Sequence, residues 1–273
     1  MTSSGIITLT TDFGQADSYV AELHGVILTA FPGAQIVDIS HDVPAGRIET
    51  ALFLTESAWP HFPRQTVHLV VVDPGVGTDR SMVALRGPQA SYVGPDNGVL
   101  SSAFPAPLRS APETAPIHMP DDYNAIEITE TPVRATPPSR TFQGRDIMAP
   151  VAAQIALGTP LESLGEPLHE MLVASGLAAS GDAGLIIHID HFGNAITNFR
   201  ASIATPDIRF VATTGWRDEV IIAAPTVTYA ASPPDQPAMI AGSSGYLEIA
   251  WPNGDAAERL GLRLGDSVRL LRT

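Results

Sequence analysis

Over the first 165 residues, short apolar runs alternate with longer stretches whose apolar positions recur every three or four residues. Ile6 to Thr10 is a β-branched run ending in Thr11-Asp12-Phe13-Gly14. Val20, Leu23, Ile27 and Phe31 follow at helical spacing, with Asp17 or Ser18 placed to cap the helix and Pro32-Gly33 to stop it. Ala34 to Ile39 reads as a second strand and Ile48 to Ala58 as a second helix, halted before Pro60. Val67 to Val72 is the most apolar run in the chain, the pattern of a strand covered on both faces, and it leads into Asp73-Pro74-Gly75-Val76-Gly77. Ser91-Tyr92-Val93 precedes the turn cluster Gly94-Pro95-Asp96-Asn97-Gly98. The stretch from Ala111 to Pro138 is proline-rich and reads as a loop; Ile147 to Leu157 is a helix ended by Gly158-Thr159-Pro160. Such alternation predicts a largely parallel sheet with helices on its faces.

The pattern changes near Gly176. Ala174 to Gly184 is small and flexible in composition, a linker, and beyond it come short strand-like runs. These are Leu185–Asp190, Ala195–Phe199, Ile208–Ala212, Glu219–Ala223, Val227–Ala230, Tyr246–Trp251 and Ser267–Leu271, with helical character only from Asp255 to Leu262. They predict an antiparallel sandwich or barrel. The division is an α/β domain over 1–170, a linker over 171–183 and an all-β domain over 184–273.

A chain of 273 residues suits two domains, and 44% hydrophobic residues with 24 Pro and 23 Gly describe turn-rich globular protein. That excludes a disordered chain, a coiled coil and a collagen-like fibre. Cysteine is absent, so disulfides, thiolate metal sites and a cysteine nucleophile are excluded. Fifteen Lys+Arg against 29 Asp+Glu give a net charge of −14, which argues against nucleic acid and anionic membranes as partners. No run is long enough to span a membrane, and the N-terminus lacks the order of a signal peptide. The expectation is a soluble, cytoplasmic protein.

Ligands of an open parallel sheet bind beyond the carboxyl ends of its strands. Asp12 and Asp73 stand at two such ends, where a carboxylate can accept hydrogen bonds from a ribose diol or orient a water; each also suits a cap or a turn. Arg80 follows Asp73 by seven residues, and a tight Pro-Gly turn would fold its guanidinium back and fix the carboxylate. Gly75-Val76-Gly77 lacks the third glycine of a dinucleotide fingerprint and the Lys-Ser/Thr of a phosphate loop. Thr141 to Asp146 reads as a helix-capping segment, with Asp146 near the positive end of the helix dipole. His188, Asp190 and His191 alternate across a strand and read as structural; the remaining histidines are scattered without ligand spacing, so no metal and no cofactor is expected. Phe192-Gly193-Asn194 and Ser243-Ser244-Gly245 read as turns able to present polar groups to a ligand.

Taken together these segments resemble the S-adenosyl-L-methionine hydroxide adenosyltransferases, relatives of the fluorinase and chlorinase. The resemblance rests on Thr11-Asp12-Phe13-Gly14 with Asp17 and Tyr19-Val20, Val37 to His41, Val71 to Gly77 with Arg80, and Gly94 to Gly98. It continues through Thr141-Phe142, Gly144-Arg145-Asp146, Asp190 to Asn194 with Thr197-Asn198, and Gly245 to Ala250. It implies a Rossmann-like N-terminal domain, a C-terminal β-barrel and a homotrimer with sites between subunits. It also implies attack of water or hydroxide on ribose C5′ of S-adenosyl-methionine, giving adenosine and methionine. Asp12 matches the residue on the ribose hydroxyls, and Asp17 and Ser18 the loop near the methionine portion. Asp190 and Asn194 match residues holding amino acid and nucleoside, and Ser243, Ser244 and Glu248 lie where the neighbouring subunit closes the site.

Asp73 and Arg80 match two members of the hydrolases' Asp-Arg-His set, but Gln143 stands in the segment where that family carries histidine. An amide orients water without taking a proton near neutral pH. The halogenating relatives lack an acid at the Asp73 position, and the fluorinase has serine where this chain has Gly144, so water is the expected nucleophile. Two alternatives stay open: a relative using a halide or another nucleophile, and a non-catalytic binder of adenosine or S-adenosyl-methionine.

Overall fold

The computed structural model describes residues 4–109, 113–129, 138–174, 177, 179–213, 219–223 and 225–272. Parts of the proline-rich stretch (110–112, 130–137) and of the linker (175, 176, 178) lie outside them. The chain divides into two compact units, Met1–Gly176 and Leu177–Thr273.

The first unit runs β1 (Ile6–Thr11), α1 (Tyr19–Ala30), β2 (Gln35–Ser40), α2 (Ile48–Ala58), β3 (Val67–Val71), β4 (Met82–Arg86), β5 (Ser91–Pro95), β6 (Ala115–His118), β7 (Asn124–Ile128), α3 (Ala149–Leu157), β8 (Gly165–Leu168) and β9 (Glu170–Val173). Seven strands form one sheet in the order β2-β1-β3-β5-β4-β7-β8. β2, β1, β3 and β5 are mutually parallel, and the sheet continues through β4, β7 and β8 in antiparallel pairing. The periodicity of the sequence is thus realised as an α/β domain whose parallel half holds the first two crossovers.

β3 is buried along its whole length because alternate residues feed two cores. Leu69 and Val71 join Leu23 and Ile27 of α1 and Val151 and Ile155 of α3, while Val70 and Val72 join Ala51 of α2 with Val83, Leu85 and Tyr92. His68, in β3, clusters with the mutually touching rings of Trp59 and Tyr92 and bonds Thr8 at 2.7 Å; burial drives its pKa down to about 3, so it is a neutral structural residue.

Two strands lie inside the stretch expected to be a proline-rich loop. β6 pairs with β9 as a separate two-stranded sheet, and β7 joins the main one. The third helix begins at Ala149, later than its apolar pattern suggests, because Gly144–Met148 is wound as a wider π turn. Gly158 ends that helix in the left-handed conformation, as its sequence indicates.

The second unit contains β10 (Ala183–Ile189), β11 (Ala195–Arg200), β12 (Ile208–Thr213), β13 (Glu219–Ile222), β14 (Ala238–Ala241), β15 (Tyr246–Ala250), α4 (Ala256–Leu260) and β16 (Ser267–Arg272). The pairings between these strands are antiparallel, in the order β13-β12-β16-β10-β11-β15-β14, a nearly closed barrel around Phe199, Phe210, Met239, Leu247 and Val268. The run expected as a strand at Val227–Ala230 is instead a single 3-10 turn, Tyr229–Ala231, because the Thr228 hydroxyl accepts from the Ala231 N–H and diverts the backbone from a ladder. β14, which the sequence pattern did not indicate, pairs with β15. Among the described residues no helix is long and apolar enough to cross a membrane.

Candidate active site

β1 crosses through α1 to β2 on one side, and β2 returns through α2 to β3 on the other. The order of strand addition therefore reverses between the parallel strands β1 and β3, the place where an open sheet leaves a crevice beyond its strands' carboxyl ends. Thr11 and Val71 are register partners, so Asp12 and Asp73 flank that crevice. Asp12 Oδ2 accepts the Gly46 backbone N–H at 2.8 Å. Burial raises the Asp12 pKa against that bond, and the neighbouring Asp73 charge raises it further.

The Pro-Gly turn after Asp73 does what its sequence suggests. Gly77 takes φ +82°, and a Cβ there would lie 3.0 Å from the Arg140 carbonyl, so the turn closes on glycine. It delivers Arg80 Nε to both Asp73 oxygens at 2.8 Å, while Nη2 donates to Asp73 Oδ2. The Asp73 and Arg80 side chains are only 5% and 10% exposed, which separates this pair from a solvated surface ion pair. Arg80 Nη2 also donates to Gln143 Oε1, joining three residues in one chain of contacts. Arg80 Nη1 is buried without a hydrogen-bond partner among the described residues.

Gln143 immediately precedes the π turn. Gly144 packs directly on β3: a Cβ there would approach Val71 Cγ1 to 2.9 Å. Asp146 stands in the first turn of this helical segment, where its sequence places it, and makes no cap bond. It lies inside the turn, gripped by Arg145 Nε at 2.6 Å and by the Ser139 N–H at 2.7 Å. Arg145 holds its pKa below the ordinary carboxylate range. Arg145 also reaches Glu22 on α1 at 2.7 Å and lies over the Phe142 ring at 4.8 Å. Phe142, Phe13 and Tyr19 meet edge to face at 5.4–5.9 Å, an apolar wall tying the loop after Asp12 to the segment before Gln143. The sequence named all three rings within its motifs but offered no sign that they touch.

Asp17 and Ser18 are exposed at the start of α1. Ser18 occupies the cap position, yet its hydroxyl donates to Glu22 Oε1 at 2.7 Å instead of satisfying the helix. Asp96 and Asn97 serve the scaffold: Asp96 accepts from Leu172 N–H and Asn97 donates to the Val72 carbonyl.

In the second unit, Asp190 organises its own loop, accepting from the N–H groups of Phe192 and Asn194 and from Asn194 Nδ2 at 2.8–2.9 Å. Gly193 turns this loop at φ +80°. Glu248, on β15, is 5% exposed; burial raises its pKa, the Tyr229 hydroxyl that it accepts from opposes this, and Asp190 adds to it. Asp190, Asn194 and Glu248 are thus neighbours, with Tyr229 a fourth member that the sequence did not single out. Ser243 and Ser244 form the tip of the β14–β15 hairpin, turned by Gly245 at φ +82°.

A cavity of about 580 Å³ around Arg64, Arg86 and Ser91 lies away from these residues, and one of about 400 Å³ between α1 and α3 is lined by Glu22, Arg145 and Asp146 but not by Asp12, Asp73, Arg80 or Gln143.

The histidines are less scattered in space than in sequence. His24 Nε2 lies 2.9 Å and His41 Nε2 3.1 Å from the same oxygen of Asp38.

The chain is similar to known proteins along most of its length. The family model described as the SAM hydroxide adenosyltransferase N-terminal domain matches residues 7–165, and that of the C-terminal domain matches 184–269. An (R)-S-adenosyl-L-methionine hydrolase of Thermus thermophilus is 38% identical over 266 residues, covering 95% of this chain and 97% of its own. Another from Salinispora tropica is 35% identical, with 97% of each chain covered. A fluorinase from an Actinoplanes species is 28% identical over 71% of each chain. A crystal structure of an uncharacterized conserved protein from Thermotoga maritima superposes with a TM-score of 0.82 at 31% identity, over 97% of this chain and all of its own.

Proposed function

The chain belongs to the SAM hydroxide adenosyltransferase family, and from that premise we propose that it hydrolyses S-adenosyl-L-methionine to adenosine and L-methionine. The names of the hydrolase relatives specify the (R) sulfonium, and we take that epimer as the substrate. The observation that carries the reading is the buried Asp73–Arg80–Gln143 chain beside Asp12 at the sheet's reversal point.

The chemistry asks little of a protein. The sulfonium leaves as a neutral thioether, so no general acid is required. Water attacks C5′ from the side opposite sulfur, the C5′–S bond breaks with its electron pair going to sulfur, and the water's surplus proton passes through Asp73 to solvent. Placement in line supplies several orders of magnitude, and a fixed carboxylate in a site sheltered from water stabilises the positive charge at the reacting carbon. Arg80 holds Asp73 in one orientation, and its unpartnered Nη1 is a donor available to the water. Gln143, bonded to Arg80 through Oε1, retains an amide N–H₂ for the same water.

We assign Asp12 to the ribose hydroxyls, and Asp17 and Ser18 to the methionine end. Asp190, Asn194, Ser243, Ser244 and Glu248 are assigned to closing the site from a neighbouring subunit of a cytoplasmic homotrimer. Support for association comes from Phe192, 73% exposed beside Asp190, and Tyr19, 46% exposed beside the apolar wall; both are side chains that a subunit contact would cover.

Incubation with each sulfonium epimer, with and without chloride or fluoride, followed by chromatography tests the proposal. Adenosine and methionine in equal amounts, independent of halide, support it. A 5′-haloadenosine, or bound but unchanged substrate, overturns it.

A further inference from the structure

We propose that His24, Asp38 and His41 form a site for a divalent transition-metal ion of the zinc type. Their donor atoms, two imidazole nitrogens and a carboxylate oxygen, all lie within 4.8 Å of one another. His24 Nε2 and His41 Nε2 converge on Asp38 Oδ1 at 2.9 and 3.1 Å. Ligand atoms of a tetrahedral zinc ion with bonds of 2.0–2.1 Å stand about 3.3 Å apart, so the carboxylate sits close to coordinating distance from both rings already.

His41 carries the case. Its side chain is fully buried, and Nε2 has no hydrogen-bond partner although the carboxylate oxygen is at ion-pair range. A buried imidazole nitrogen left unsatisfied is costly, and an ion between it and Asp38 would satisfy both. Its other nitrogen, Nδ1, is tied to the Thr11 hydroxyl at 2.8 Å, the outer contact that orients a ligating histidine and sets which nitrogen faces the metal. His24 sits on α1, Asp38 lies in β2 and His41 just beyond it, so the ligands come from elements the fold holds rigidly. His24 and Asp38 are 32% and 38% exposed, which leaves an open approach for the ion and a solvent-facing coordination position. The net charge of −14 favours cations generally.

An ion here would pin α1 to the end of β2. It would also reach the candidate active site, since Thr11 precedes Asp12 and the His41 carbonyl accepts the Gly14 N–H at 2.8 Å.

The test uses tag-free full-length protein stripped with chelator and titrated with Zn²⁺ by calorimetry, then with Co²⁺ by visible absorption. The expected results are one ion per chain, a cobalt d–d band and a rise in the unfolding midpoint with Zn²⁺. His24→Ala and Asp38→Asn, both at partly exposed positions, should each weaken binding at least tenfold and abolish the midpoint shift, with circular dichroism of the metal-free variants matching the parent. No saturable binding to the parent, or undiminished binding to His24→Ala, overturns the proposal. Neither outcome bears on the hydrolase reading, which product analysis tests separately.

Discussion

Asp12 and Asp73 stand one and two residues beyond the ends of paired parallel strands, and the charge of Asp73 adds to burial in raising the proton affinity of Asp12. Asp12 is thus held against its own electrostatic preference, a common mark of a site built for a ligand and not for stability alone.

The cost should be visible in Asp12→Asn. With the folded pKa above the unfolded value near 3.8, the carboxylate contributes nothing below 3.8 and lowers stability as pH rises through the folded value. Asparagine keeps an acceptor for the Gly46 N–H without the charge. The variant should be more stable than the parent in denaturant at pH 7, with the difference gone below pH 3.8. Its KM for S-adenosyl-methionine should rise by about tenfold or more, as expected for losing a hydrogen bond to a charged group. A variant that is less stable at pH 7 and binds normally would count against both roles.

Asp73→Asn preserves shape and removes charge. It should lower kcat by about 10²-fold or more with a smaller change in KM, since the lost interaction belongs to the transition state. Asp73→Ala leaves the Arg80 guanidinium buried without its partner and should in addition destabilise the fold by about 3 kcal/mol, measurable by urea unfolding. Full activity in Asp73→Asn would remove the carboxylate from the chemistry.

Gln143→His should be as fast as the parent or faster, because an imidazole nitrogen can accept from Arg80 as the amide oxygen does. The pH–rate profile should gain an ionisation near the ordinary histidine value of about 6.5. A variant substantially slower than the parent, yet folded, would mean the amide does something an imidazole cannot.

The Arg145–Asp146 pair makes an acid-side prediction. Asp146 has its pKa lowered by Arg145, so its stabilisation is complete above the unfolded value near 3.8 and disappears as pH falls through the folded one. Asp146→Asn should cost about 2 kcal/mol at neutral pH, typical of a buried hydrogen bond to a charged group, and nothing in strong acid. Equal stability of parent and variant at pH 7 would show the pair to be passive.

Much of the parallel half of the first unit was legible because each element there carries a single strong period. Ile48–Ala58 is helical over the bounds its pattern predicts, and the VHLVVV run is the strand buried on both faces. The strands within the proline-rich stretch were hidden because proline normally argues against a strand. Pro116 is tolerated in β6, which among the described residues pairs with β9 alone, so its missing N–H need not break a ladder on its other side. The Asp73–Arg80 contact was readable from a seven-residue spacing across a Pro-Gly turn. The bond from Arg80 to Gln143 spans 63 residues, and the convergence of His24 and His41 on Asp38 depends on how α1 packs beside β2; no local pattern encodes either.

The most direct test of the central claim is a single turnover with enzyme in excess, run in H₂¹⁸O, with adenosine analysed by mass spectrometry. Direct attack of water guided by Asp73 predicts one ¹⁸O in the 5′-hydroxyl of adenosine, none in methionine, and no product from Asp73→Asn on the same timescale. Unlabelled adenosine from the first turnover would contradict it, because the oxygen would then have come from the carboxylate itself through a covalent ester.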